Sequence, residues 1–153
     1  MKSDRVKVFA VPLCVERRNN WMIKIRREQI AGMNMHYKYR TLDYFFKTQQ
    51  ALGIKNIEFW CARPHFLLDD YGFEDAAELK KNAADYGLTI GAFSPECTIY
   101  NYALCCHDET ARKHSIGYFE NGIRAAAEAG AKVMVLNCCG GARNEDPRRI
   151  FER

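Results

Sequence analysis

Three times along this chain an amphipathic helical stretch ends at a glycine and a short apolar run begins almost at once. Gly53 precedes Asn56-Ile-Glu-Phe-Trp60, Gly87 precedes Leu88-Thr-Ile-Gly-Ala-Phe93, and Gly130 precedes Lys132-Val-Met-Val-Leu136. A glycine suits that place because the residue closing a helix often takes a left-handed conformation that costs glycine nothing. The helical spacing between the strands is legible as Leu42, Phe45 and Phe46, then Ala76, Leu79, Ala83 and Tyr86, then Ile116, Phe119, Ile123 and Ala126. Thr41 and Asp108 sit just before their stripes and offer side-chain oxygens as N-caps.

Alternating helices and strands with short connections predict a parallel sheet built from right-handed crossovers, an α/β fold. Four strands are expected, over residues 29–36, 56–60, 88–94 and 132–137. A doubly wound sheet and part of a (β/α)8 barrel both satisfy this order. A dinucleotide fold would place a glycine-rich loop after the first strand, where this chain reads Met35-His-Tyr-Lys-Tyr39. That absence favours the barrel.

Composition narrows the function classes. The 153 residues are 48% hydrophobic with a net charge of +4, enough apolar material for one core. The apolar runs fall far short of the roughly 20 residues that span a bilayer, and no secretory leader is read at the N-terminus, so no membrane partner is expected. Lys24, Arg26 and Arg27 form the densest basic patch, without interleaved aromatics, which argues against nucleic acid. Seven cysteines, an odd number with two adjacent pairs, read as reduced, buried thiols in a cytoplasm, and their spacing is not that of a zinc site. Residues 1–21 are read as an N-terminal extension, either an edge strand over 6–15 or a stretch preceding a natural start at Met22. Residues 22–153 form the folded unit.

Side chains alternate across a strand, so polar groups can be sorted by face. With Ile57 and Phe59 turned toward the helices, Glu58 and Trp60 face the opposite side. The same reasoning pairs Asn34 with His36, Ser94 with Glu96, and puts Asn137 at the end of the fourth strand. All four strands therefore carry polar groups at their carboxyl ends, where ligands bind in barrels and open parallel sheets alike. Glu58 is either a ligand contact or a paired structural carboxylate. Glu96 opens a long polar and aromatic loop, 97–106, of the kind that often carries function. Arg63 suits a bidentate contact with a carboxylate or phosphate, or an ion pair that steadies its loop. His36 and His65 are candidate ligands or proton carriers, or ordinary hydrogen-bonded histidines, while His107 and His114 read as structural. The Gly140-Gly141 pair permits close backbone approach or merely shapes a turn.

Gln29-Ile-Ala-Gly-Met-Asn-Met-His36, Ile57-Glu-Phe-Trp60 followed by Arg63-Pro-His65, Ser94-Pro-Glu96 and Ala129-Gly-Ala-Lys-Val133 resemble the sugar phosphate isomerase/epimerase superfamily with its xylose-isomerase-like TIM barrel, closest to the fructoselysine 3-epimerases. The resemblance runs over roughly residues 22 to 147. It implies the first four units of an eight-stranded barrel, a divalent metal such as manganese, and proton transfer beside a ketose carbonyl through an enediolate. In that family the metal ligands and the two catalytic glutamates come from strands five to eight, so neither Glu58 nor Glu96 is assigned those roles, and no catalytic or metal-ligating residue is expected here. What carries over is recognition of a sugar or sugar-amine substrate by His36, Tyr37, Glu58, Trp60, Arg63, His65, Glu96 and Asn137. A complete barrel runs to about 250 residues, so an N-terminal half is expected. It would be inactive in isolation and prone to self-association through exposed strand edges. The rival expectations are an aldose-ketose isomerase, an inosose dehydratase, a hydroxypyruvate isomerase, an endonuclease-IV-like phosphodiesterase with His36 or His65 on its metal, and a non-catalytic assembly module of paired half barrels.

Overall fold

The computed structural model describes residues 25–97 and 102–136, together with 146 and 148. The proposed extension, Asn137 and the Gly140-Gly141 pair lie outside the described residues. Four strands form one sheet in the order β1 (Ala31–Met33), β2 (Asn56–Cys61), β3 (Thr89–Pro95) and β4 (Val133–Met134), every neighbouring pair parallel. The helices α1 (Leu42–Ala51), α2 (Ala76–Asp85) and α3 (Glu109–Glu128) connect them. This is the expected α/β order, a four-stranded portion of a barrel wall.

Local chemistry sets the helix ends. Thr41 Oγ1 accepts from the Tyr44 amide at 3.2 Å and Asp108 Oδ1 from Ala111 at 2.9 Å, as the sequence predicts, and Asp75 caps α2 through Glu78 at 2.8 Å. At the other ends Gly53, Gly87 and Gly130 have φ of 67°, 68° and 75°. The residues after them reach back to close the last turns, Leu88 N to Ala83 O at 3.1 Å and Ala131 N to Ala126 O at 3.0 Å.

The core lies between the sheet and the helices. Ile57, Phe59 and Phe93 are fully buried there with Phe45, Phe46 and Tyr118. Phe59, Phe66 and Phe93 form a ring cluster with centroids 5.9 to 6.0 Å apart, Phe66 meeting the other two edge-on. Ile90 and Phe93 both face this core although they are three residues apart, which strict alternation forbids. A register shift between Ile57 and Glu58 resolves it, because Ile57 pairs with Ile90 and Glu58 with Ala92, leaving Gly91 as the extra residue of a bulge. Beyond the bulge Trp60 lies opposite Ser94, so the inward face is polar where the outward face is apolar.

Two expectations are corrected. The first strand is shorter than residues 29–36, because Arg27–Gln29 and Asn34–Tyr37 both wind into single 3-10 turns. The backbone of β1 pairs only with β2 among the described residues, and one-sided pairing gives little to hold a long strand. On α3, Ile116 and Ile123 are exposed, while Tyr118, Gly122 and Ala125 join Phe119 and Ala126 on the packed side. Tyr118 decides that rotation: its hydroxyl donates to the Glu96 carbonyl and its ring stacks on Tyr102 with centroids 3.8 Å apart. Gly122 can then approach Pro95 and Met134 so closely that a Cβ would come within 3.1 Å of both.

Candidate functional site

The carboxyl ends of β2 and β3 place four polar side chains on the sheet face away from the helices. Trp60 Nε1 donates to Glu96 Oε2 at 2.7 Å, and Ser94 Oγ donates to Glu58 Oε1 at 2.6 Å. Trp60, Ser94 and Glu96 are buried, at 7%, 6% and 5% exposure. A carboxylate with so little solvent is stable only when hydrogen-bonded, and the indole supplies one such bond while fixing its own ring.

Asn34 holds the site together. Its Oδ1 accepts from the Trp60 amide at 2.7 Å, and its Nδ2 donates both to the Trp60 carbonyl at 2.9 Å and to His65 Nδ1 at 3.0 Å. The side-chain amide thus continues the β1–β2 ladder after the β1 backbone has turned into its 3-10 turn. Since His65 Nδ1 accepts, the ring proton is on Nε2, which donates to the Arg40 carbonyl at 2.9 Å. Both His65 nitrogens are engaged within the protein, and they tie the loop after β1 to the loop after β2.

Above these pairs opens a cleft of about 480 Å³, lined in part by His36, Lys38, Tyr39, Trp60, Arg63 and Glu96, a size that accommodates a small ligand. Four of the sequence-predicted residues, His36, Trp60, Arg63 and Glu96, therefore come together. Glu58 stands next to them through Ser94. Tyr37 is elsewhere, its ring 5.1 Å from Phe45 and its hydroxyl 3.3 Å from Gln49 Nε2 in the α1 interface. His65 lines a neighbouring open cleft of about 730 Å³ with Lys38, Tyr39, Arg40 and Tyr44. Arg63 Nη1 is paired with Glu74 Oε1 at 2.9 Å, and Glu74 Oε2 accepts from the Leu67 amide at 3.0 Å, so Arg63 braces the segment before α2. Asn137 lies outside the described residues. Sequence reasoning passed over Lys38, Tyr39 and Arg40, whose signal was the alternation of cation and aromatic from Tyr37 to Arg40.

Among the described residues no group of three or more His, Cys, Asp or Glu side chains could hold a metal ion. The divalent metal implied by the resemblance thus finds no fitting donor set there, since one oxygen of each glutamate and both His65 nitrogens already serve internal bonds. The buried thiols behave as packing groups: Cys61 is fully buried and burial pushes its pKa well up. Burial also raises Tyr102, with help from the Asp70 carboxylate, to about 12. No helix among the described residues is long and apolar enough to cross a membrane.

Comparison with known proteins agrees with the fold. Fructoselysine 3-epimerase of Shigella flexneri is 26% identical over 112 residues, covering 73% of this chain and 41% of that protein. Its Escherichia coli O157:H7 counterpart is 25% identical over the same shares. The chain thus spans about two fifths of the length of these curated relatives. The crystal structure of a protein assigned as a xylose isomerase from Rhodospirillum rubrum superposes with a TM-score of 0.64 over 80% of this chain and 44% of its own, at 16% identity. The profile of the xylose isomerase-like TIM barrels matches residues 46–153, well over half of the sequence, and the chain belongs to that family.

Proposed function

We propose that this chain supplies the substrate-holding wall of a ketose 3-epimerase or isomerase, acting on a fructoselysine-like sugar or a sugar phosphate. The observation that carries the reading is the pairing of Trp60 with Glu96 at the floor of the cleft. A sugar has a C–H face that packs on an indole plane and hydroxyls that donate to carboxylate oxygens, and this pair offers both within 2.7 Å of each other. Glu58, steadied by Ser94, adds a second carboxylate on the same face.

In this reading the chain's residues bind and orient. Epimerisation beside a carbonyl removes a proton from one face of the carbon and returns it to the other, which needs two groups on opposite sides. The described residues supply one wall, so the proton-transferring pair, and the ligands of any divalent ion, come from outside them. The 153-residue chain is expected to bind ketoses without turning them over, in a cytoplasmic setting that its buried thiols suit. The endonuclease-like alternative loses one of its two candidate metal ligands, because both His65 nitrogens are occupied.

Saturation-transfer NMR with fructoselysine and fructose tests the reading. Saturable binding that weakens about tenfold in Trp60→Phe supports it, while absence of binding to any ketose removes it. Solvent deuterium appearing at carbon 3 with the chain alone would overturn the division of labour. The same reading includes self-association, since β1 and β4 each pair with one neighbour among the described residues and Val133, Val135 and Leu136 are exposed beside β3. Sedimentation showing a monomer at all concentrations would withdraw that part.

A further inference from the structure

The cleft beside the sugar site is built differently from it. Its lining carries Lys38 and Arg40 with no carboxylate, whereas the floor of the sugar cleft carries Glu96. Lys38 and Tyr39 line both clefts, so the two are continuous across one pair of residues. The loop that presents these cations is held in place: the Arg40 amide bonds the Tyr37 carbonyl at 2.7 Å and the Arg40 carbonyl receives the His65 Nε2 proton. Lys38 Nζ stands 5.3 Å from the centre of the Tyr39 ring and the Arg40 guanidinium 5.3 Å from that of Tyr44, so each cation rests on an aromatic face with its N–H groups open to a ligand. Arg63, the cation that sequence reasoning favoured for an anion, is already neutralised by Glu74.

We infer that Lys38 and Arg40 form a subsite for the anionic end of the substrate, a carboxylate or a phosphate, while the hydroxyl-bearing end lies against Trp60 and Glu96. The inference rests on the ketose reading and extends it by fixing the direction in which the substrate lies. A negative group is repelled from the Glu96 floor and attracted to two cations at the mouth. The planar guanidinium matches either oxyanion bidentately, so the shared chemistry is the anion, and its source is for the experiment to separate.

The test compares fructose, fructoselysine and fructose 6-phosphate, together with inorganic phosphate alone, by calorimetric or NMR titration of the 153-residue chain. At least one charged ketose is expected to bind ten times or more tightly than fructose, with an advantage that shrinks as salt rises. Which of the two gains more identifies the carboxylate or the phosphate as the source. Arg40→Gln, which lies outside the sugar cleft, is expected to erase most of that advantage and leave fructose affinity unchanged, with an unaltered melting curve as the folding control. Lys38→Gln is expected to act in the same direction, and Arg63→Gln to preserve the advantage. Equal affinity for charged and neutral ketoses, an advantage that survives Arg40→Gln, or one that depends on Arg63 would overturn the inference. A chain that binds no ketose yet binds phosphate through Arg40 would retire the ketose reading and keep the anion subsite. If phosphate also fails to bind, the subsite fails with it. Tighter, Arg40-dependent binding of a single-stranded oligonucleotide than of any small anion would assign the cations to nucleic acid instead.

Discussion

Strands β2 and β3 use their two faces for opposite purposes. Outward, Ile57, Phe59, Ile90 and Phe93 are at most 3% exposed and belong to the hydrophobic core. Inward, Glu58, Trp60, Ser94 and Glu96 meet one another through oriented hydrogen bonds and leave a cleft above them. The same backbone thus carries a face whose energetics are nondirectional burial and a face whose energetics are directional and individually small. Changes to the first should cost the fold and changes to the second should cost the ligand.

The largest effect is expected from Phe59→Ala. Emptying that site among Phe66 and Phe93 should destabilise the protein by about 3–5 kcal/mol, measured by denaturant unfolding, and a loss below about 1 kcal/mol would show that the outward face is not the core. Asn34→Ala comes next, at about 2–3 kcal/mol, because it strands the buried Trp60 amide and carbonyl and frees His65. This residue lies on the boundary between the two faces, so ketose affinity should fall along with stability.

A smaller, pH-dependent loss is expected in alkali. The Tyr102 pKa is raised to about 12 from an ordinary 10, so the folded state holds its proton more firmly than the unfolded chain. The resulting stability is complete below pH 10 and disappears as pH rises toward 12. Melting temperatures followed across that window in the native protein and in Tyr102→Phe check it, with the variant expected to show the shallower decline. The smallest stability change belongs to Glu96→Gln, which keeps an oxygen for the Trp60 indole and should alter stability by less than about 1 kcal/mol. Ketose affinity should nonetheless fall about tenfold, and a variant that bound sugar normally would remove Glu96 from the site.

Much of the fold is legible in local sequence chemistry. The number and chain order of the strands, the Thr41 and Asp108 caps and the three left-handed glycines followed from local chemistry, as did the inward turn of Glu58 and Trp60. The orientation of α3 was misread because Ile116 and Ile123 are stronger apolar signals than Gly122 and Tyr118, while packing is governed by close approach at Gly122 and by the long reach of Tyr118 to Glu96. The site was legible in part, through Trp60, Glu96, Arg63 and His36 at strand ends, but not the partner that each would choose.

The amino-acid sequence by itself determined the elements, their order along the chain and the face each β2 residue presents, because caps, helix-closing glycines and alternation act over a few residues, whereas the faces of β3 also depend on the bulge at Gly91. The tertiary structure alone decided that Asn34 would complete a ladder with Trp60, 26 positions away. It decided too that Arg63 would be spent on Glu74, that His65 would be locked between two loops, and that Lys38 and Arg40 would face a cleft. Hydrogen bonds and ion pairs form between whichever groups the folded backbone brings within about 3 Å, and that proximity is written in the packing of distant segments rather than in the spacing of neighbours.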